Sequence, residues 1–179
     1  MNTIHQYLVE LLQKSSVEHL TAFRQLEARD FAPVATIVTT DFEALYAYKR
    51  GDYRRCLQLS TQNVHTLLYA DDMTIIPILP EFIQFLDDDI VALTALTLIV
   101  NPECRHNNGD VCITQMTLSL YLMTQCQLKL RHSMSSLAQT SENIKAAESR
   151  LRLPAFAVLH HLTLKLIKSR VVSYMSTFV

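Results

Sequence analysis

Glycine is nearly absent from this chain: Gly51 and Gly109 are the only two in 179 residues. That scarcity excludes the glycine-rich loops Gly-x-x-x-x-Gly-Lys and Gly-x-Gly-x-x-Gly, whose backbone must approach a phosphate closely. Two glycines and five prolines are also too few for the many tight turns of an all-β protein, which leaves helices with short connections. There is no Gly-x-Ser-x-Gly elbow and no Cys/His nucleophile signature. An excess of charge of one sign is missing too. With 16 basic and 17 acidic residues the net charge is −1, which gives no electrostatic footprint for nucleic acid or an anionic membrane. Long apolar runs are lacking: the longest, Ile90 to Val100, falls short of the ~20 residues a spanning helix needs. It reads as a helix buried on nearly all sides. MNTIHQYLVELLQK has no basic leader and no continuous apolar core, so no secretory signal is expected. The cysteines are few and irregularly spaced (Cys56, Cys104, Cys112, Cys126), as reduced thiols of a cytosolic protein would be.

What is present is apolar periodicity. Apolar residues make up 49% of the chain, enough for one domain with a core. Ile4, Tyr7, Leu8, Leu11 and Leu12 mark a first helix over 3–13. Ser15 and Glu18 form a capping box for a second that runs to about Ala28. Asp30 and Pro33 start a third, which reaches Arg50, and a fourth follows from Tyr53 to about Tyr69. Ala70 to Pro80 reads as irregular, since Pro77 and Pro80 break any helix. A short helix, Glu81 to Leu86, precedes three aspartates that suit the start of the apolar helix ending before Pro102. Asn107-Asn108-Gly109-Asp110 is a turn. Val111 to about Arg131 alternates like a strand in places, but its length without turn residues favours a helix. Ser133 to Leu151 and Pro154 to Met175 complete the set. No Gly-, Ser- or Pro-rich linker divides residues 1–179, so a single domain of seven to nine helices in antiparallel pairs is expected. The apolar end, Phe178-Val179, points to a piece of a longer protein.

The clearest stretch is Thr40 to Tyr69. Ile37, Val38, Phe42, Leu45 and Tyr48 recur at helical spacing before Gly51, and Tyr53, Cys56, Leu57, Ser60 and Val64 after it. Gly51 ends one helix in the left-handed conformation and Asp52 caps the next. Lys49 and Arg50 suit the negative helix end. The run Ala47-Tyr48-Lys49-Arg50-Gly51-Asp52-Tyr53-Arg54-Arg55-Cys56-Leu57 resembles the centre of a tetratricopeptide repeat. Ala44 and Cys56 match the small positions where the family's paired helices touch, Tyr53 the aromatic of the turn, and Leu57 the aliphatic that follows. It departs at Thr40, Ser60 and Tyr69, where the family carries aromatics and a proline. Ser136-Leu137 echoes Cys56-Leu57. The resemblance implies an all-α, right-handed array of stacked hairpins and a concave surface that holds a peptide or partner helix. One repeat cannot bury its own apolar face, so neighbouring helices must complete the stack. By position within the matched repeat, Asp41, Leu45, Tyr48 and Lys49 would face that groove. Lys49, Arg50, Arg54 and Arg55 read as a solvated turn, or as a contact for an acidic peptide.

Three clusters invite chemistry. Tyr69-Ala70-Asp71-Asp72 resembles the Tyr-x-Asp-Asp signature of reverse transcriptases, which holds Mg²⁺ on a β-hairpin. A helix leads into it here and prolines follow, so a helix terminus is the reading adopted, with a metal-dependent enzyme using Asp71 and Asp72 as the remote alternative. Asp87-Asp88-Asp89 reads as a helix start over a cation site. Cys104, His106 and Cys112 offer three ligands in one loop where zinc wants four, often as Cys-x-x-Cys pairs. No catalytic residue, metal or cofactor is expected. The function read from the sequence is a non-catalytic, cytoplasmic protein-interaction scaffold, the alternative being a helical regulatory or oligomerisation segment of a larger signalling protein.

Overall fold

Helices dominate the computed structural model, which describes residues 32–69, 77–78, 88–100, 113–150 and 158–177, together with Tyr7, Leu11, Lys14, Ser15 and Glu18. In chain order they are α1 (Ala32–Lys49), α2 (Tyr53–Tyr69), α3 (Asp88–Val100), α4 (Gln115–Lys129), α5 (Met134–Arg150) and α6 (Val158–Ser176). The all-α class read from periodicity stands. Tyr7, Leu11, Lys14, Ser15 and Glu18 are helical. Ser15, expected to cap the start of a second helix, is itself helical; the rest of residues 1–31 and the segments where a helix at 81–86 and a turn at Gly109 are expected lie outside the described residues.

Helix α4 is the centre. Every residue from Gln115 to Gln127 is buried, with α1, α2, α5 and α6 packed around it. Its aliphatic residues, Leu118, Leu120 and Leu122 among them, join Ile37, Leu59, Val64, Leu159 and Ile167 in one core. Three of its buried polar residues bond outward to different neighbours, and Thr124 bonds back to Leu120 O within the helix. Ser119 Oγ donates to Asp41 on α1 across 2.6 Å, Thr117 Oγ1 meets His160 Nδ1 on α6 at 2.6 Å, and Gln127 Nε2 donates to Ser136 on α5 at 3.2 Å. These bonds fix the register and rotation of a helix that apolar packing alone would hold loosely.

The role of the fully buried helix therefore falls to α4, not to Ile90–Val100 as the apolar run suggested. Helix α3 buries Ile90, Thr94 and Thr97 and packs chiefly on α6, while Leu96, Ile99 and Val100 are 52%, 68% and 74% exposed. Apolarity lets a helix be buried; the number of neighbours decides whether it is. Asp89 pins the N-terminal end of α3, accepting from Arg170 of α6 and, at 3.4 Å, from the Tyr121 hydroxyl of α4. The Asp89 partner lifts the Arg170 guanidinium further above its usual range, although burial works against it.

Within the stretch expected to be irregular, Pro77–Ile78 (β1) pairs antiparallel with Ile113–Thr114 (β2), Pro77 opposite Thr114 and Ile78 opposite Ile113. This pairing delays the start of α4 from the expected Val111 to Gln115. Thr114 then caps the helix, its hydroxyl accepting from the Thr117 amide at 3.2 Å.

Candidate functional site

Two turns with the same backbone plan form one end of the bundle. At the end of α1, the Gly51 amide donates to Tyr48 O at 3.0 Å and the Asp52 amide to Ala47 O at 2.9 Å, with Gly51 at φ +77°. Asp52 then caps α2, accepting from the Arg55 amide at 3.1 Å. At the end of α4, the Arg131 amide donates to Leu128 O at 3.2 Å and the His132 amide to Gln127 O at 3.0 Å, with Arg131 at φ +54°. Both are left-handed helix caps in which paired bonds satisfy the last carbonyls. Ser133 caps α5, its Oγ accepting from the Ser136 amide at 3.4 Å and its carbonyl from the Leu137 amide at 3.2 Å. The second turn carries one residue more than the first, so the buried position after it is Leu137, whereas after the first it is Cys56. The expected echo of Cys56-Leu57 in Ser136-Leu137 is thus displaced by one residue.

The two turns lie side by side. Arg54, Leu57, Gln58 and Thr61 of α2 face Leu130 and His132 of the second turn across a depression of about 540 Å³. A second depression of about 480 Å³ starts at His132 and continues over Arg131 and Met134 to Tyr174 near the end of α6. On the other flank, Glu43, Tyr46, Arg50, Asp52 and Arg55 line a third of about 420 Å³. The cations differ in their commitments. Arg50 donates to the Tyr46 hydroxyl at 2.9 Å and its guanidinium lies 5.6 Å from that ring. Arg55 pairs with Glu43 at 3.7 Å and donates to Gln58 at 3.3 Å. Arg54, Lys129 and Arg131 form no ion pair with any described residue, and all three are exposed.

Of the residues singled out in the sequence, Lys49, Arg50, Arg54 and Arg55 are exposed at this end. Tyr48 is half-buried and meets the Tyr53 ring edge-on at 5.7 Å across the turn. Asp41 and Leu45 require a correction. They are 2% and 6% exposed, inside the fold, so neither presents a surface to a partner. The repeat register places them on a face left open by an isolated hairpin, and α1 also packs on α4 here. Asp71, Asp72, Cys104, His106 and Cys112 lie outside the described residues.

The buried titratable groups are structural in their geometry. Burial pushes the Asp41 carboxyl up to about 7, against the hydrogen bond from Ser119 and the nearby Asn63 amide, which favour its charged form. Burial, with the neighbouring His161, holds His160 down at about 4. Cys56 and Cys126 are free, buried thiols, Cys56 Sγ lying 3.8 Å from Ser60 Oγ; interaction between the two thiols lowers Cys56 and, with burial, raises Cys126. None of these four groups reaches solvent.

The residues that sequence reasoning passed over are Lys129, Arg131 and His132. Their signal was present: Lys129-Leu130-Arg131-His132-Ser133 repeats the basic, cap-forming character of Lys49-Arg50-Gly51-Asp52. It lacked the glycine that marks such a turn, because Arg131 takes the left-handed position itself. No family model, curated protein or solved structure matches this chain.

Proposed function

We infer that this chain is a non-catalytic protein-interaction module built from tetratricopeptide-like helical hairpins, and that its basic end receives an acidic peptide of a partner protein. The observation that carries the reading is the exposure of Lys49, Arg50, Arg54 and Arg55 beside Lys129 and Arg131, in a chain whose net charge is only −1. Charge gathered at one end of a near-neutral molecule steers an oppositely charged partner to that end. A cytoplasmic setting suits the free thiols of Cys56 and Cys126. The test is selection from a displayed random-peptide library on the folded domain. An acidic consensus, lost when Lys49, Arg50, Arg54 and Arg55 are all changed to glutamate, supports the reading. No consensus, or the same one on the reversed variant, overturns it.

One observation favours the alternative, a helical segment for self-association. The outer face of α3 exposes Val91, Leu96, Ile99 and Val100, with no charge between them. Contiguous apolar patches of this kind mark association surfaces.

A further inference from the structure

The depression between α2 and the second turn differs from the exposed charges around it in being partly apolar. Leu57 and Leu130 supply its apolar lining, with Arg54, Gln58 and Thr61 from α2 and His132 from the second turn completing it. His132 also lines the neighbouring depression of Arg131, Met134 and Tyr174, so the two adjoin at that residue and together, as a furrow, reach from Arg54 to Tyr174. Arg54 and Arg131 carry no ion pair with described residues, unlike Arg55, which Glu43 already engages. Unengaged guanidinium groups beside an aliphatic and aromatic lining complement a segment in which carboxylates alternate with aliphatic side chains. An extended strand of such a segment turns alternate side chains to opposite sides. Its aliphatic groups would meet the apolar lining while its carboxylates reach the guanidinium groups.

We propose that this furrow, from Arg54 and Leu57 across His132 to Arg131 and Tyr174, is the docking site for an extended acidic–aliphatic peptide of a partner protein. The proposal rests on the acidic-partner reading above and narrows it to a site that both hairpins build together. Charge supplies encounter and orientation, and the apolar lining supplies the selectivity that charge alone lacks.

The test is a fluorescence-anisotropy titration with a fluorescein-labelled peptide of alternating glutamate and leucine, about twelve residues long so as to outspan the furrow at ~3.3 Å per residue. Controls are an all-glutamate peptide of equal length and an alternating lysine–leucine peptide. Binding of the glutamate–leucine peptide alone is expected, weakening with added salt. Arg54→Glu with Arg131→Glu should weaken it by about tenfold or more, as loss and reversal of two exposed charge contacts would. Leu57→Asn should weaken it without changing the charge. Lys145→Glu with Lys165→Glu, exposed on α5 and α6 and lining none of the depressions, makes the same change of charge and should keep affinity within about threefold. Circular dichroism and melting check that each variant folds; all the reversed residues are exposed. Equal binding of the all-glutamate peptide would overturn the furrow and leave the acidic-partner reading standing, whereas equal loss from the Lys145 and Lys165 reversal would overturn both in favour of net charge. Binding of neither acidic peptide would overturn both. Competition by a short DNA duplex, or sedimentation showing the furrow closed by a second copy, would give the site to another occupant and overturn the proposal.

Discussion

Ser119 on α4 donates its hydroxyl proton to the Asp41 carboxylate on α1 across 2.6 Å, joining residues 78 positions apart in the chain. The other carboxylate oxygen, Oδ2, has no hydrogen-bond partner among the described residues. The pair thus holds α1 against the central helix through a group that prefers to be protonated where it sits. Ser119→Ala should remove the donor and leave the carboxyl less satisfied in a buried site. The expected cost is about 1–3 kcal/mol, the usual penalty for stranding a buried polar group. A urea midpoint equal to that of the unaltered chain would show that the contact contributes nothing.

The two buried titratable groups should hide each other's pH dependence. Asp41 keeps its proton in the fold up to about 7, against an ordinary value of 3.8, so between those values the native state holds an extra proton and stability falls as pH rises. His160 is protonated in the fold only below about 4, against an ordinary 6.5, so in that window the unfolded chain holds the extra proton and stability rises with pH. Each slope is about 1.4 kcal/mol per pH unit, and they oppose from about pH 4 to 6.5. Asp41→Asn should therefore uncover stability that climbs with pH over that range, and His160→Gln stability that falls. Chemical denaturation from pH 4 to 8 gives the comparison; parallel curves for all three proteins would refute it.

The two left-handed caps make opposite predictions. Gly51 sits at φ +77° with open space where a Cβ would be, so a side chain there costs conformational strain alone. Gly51→Val should destabilise by about 1 kcal/mol or more. Arg131 bears the same strain at φ +54°, and Arg131→Gly should relieve it, raising stability by up to about 1 kcal/mol. Thermal melts decide the matter, and substitutions that shift the melting temperature in the same direction would contradict the shared plan of the two turns.

The outer face of α3 allows a solution test of the self-association alternative. Leu96→Glu with Ile99→Glu alters two exposed side chains and no buried one. It should leave the melting temperature nearly unchanged, within about 0.5 kcal/mol, as surface substitutions do. Sedimentation velocity then separates the readings. A larger species lost in the variant supports association through α3, and identical profiles assign that face no such role.

Sequence alone determined the hairpin α1–α2 almost to the residue. Its signals are local: a three- and four-residue apolar period, a glycine at a left-handed cap, and an aspartate one residue later. The same signals located α5 and α6 and ruled out an all-β fold. They did not reach what depends on neighbours. Ile90–Val100 is the most apolar run, yet it lies at the side of the bundle, while α4, with Gln115, Thr117, Ser119 and Thr124 along it, lies at the centre. Thr124 bonds back to Leu120 O of its own helix, but Thr117 and Ser119 find partners on other helices, and a sequence does not disclose a partner 43 or 78 positions away, as His160 and Asp41 are. Asp41 and Leu45 moved from an expected binding face to the interior for the same reason: α4 packs against α1 there. Tertiary structure also set the second basic turn beside the first. Each turn follows from its own residues, but the furrow between them exists only because α2 and α4 pack side by side.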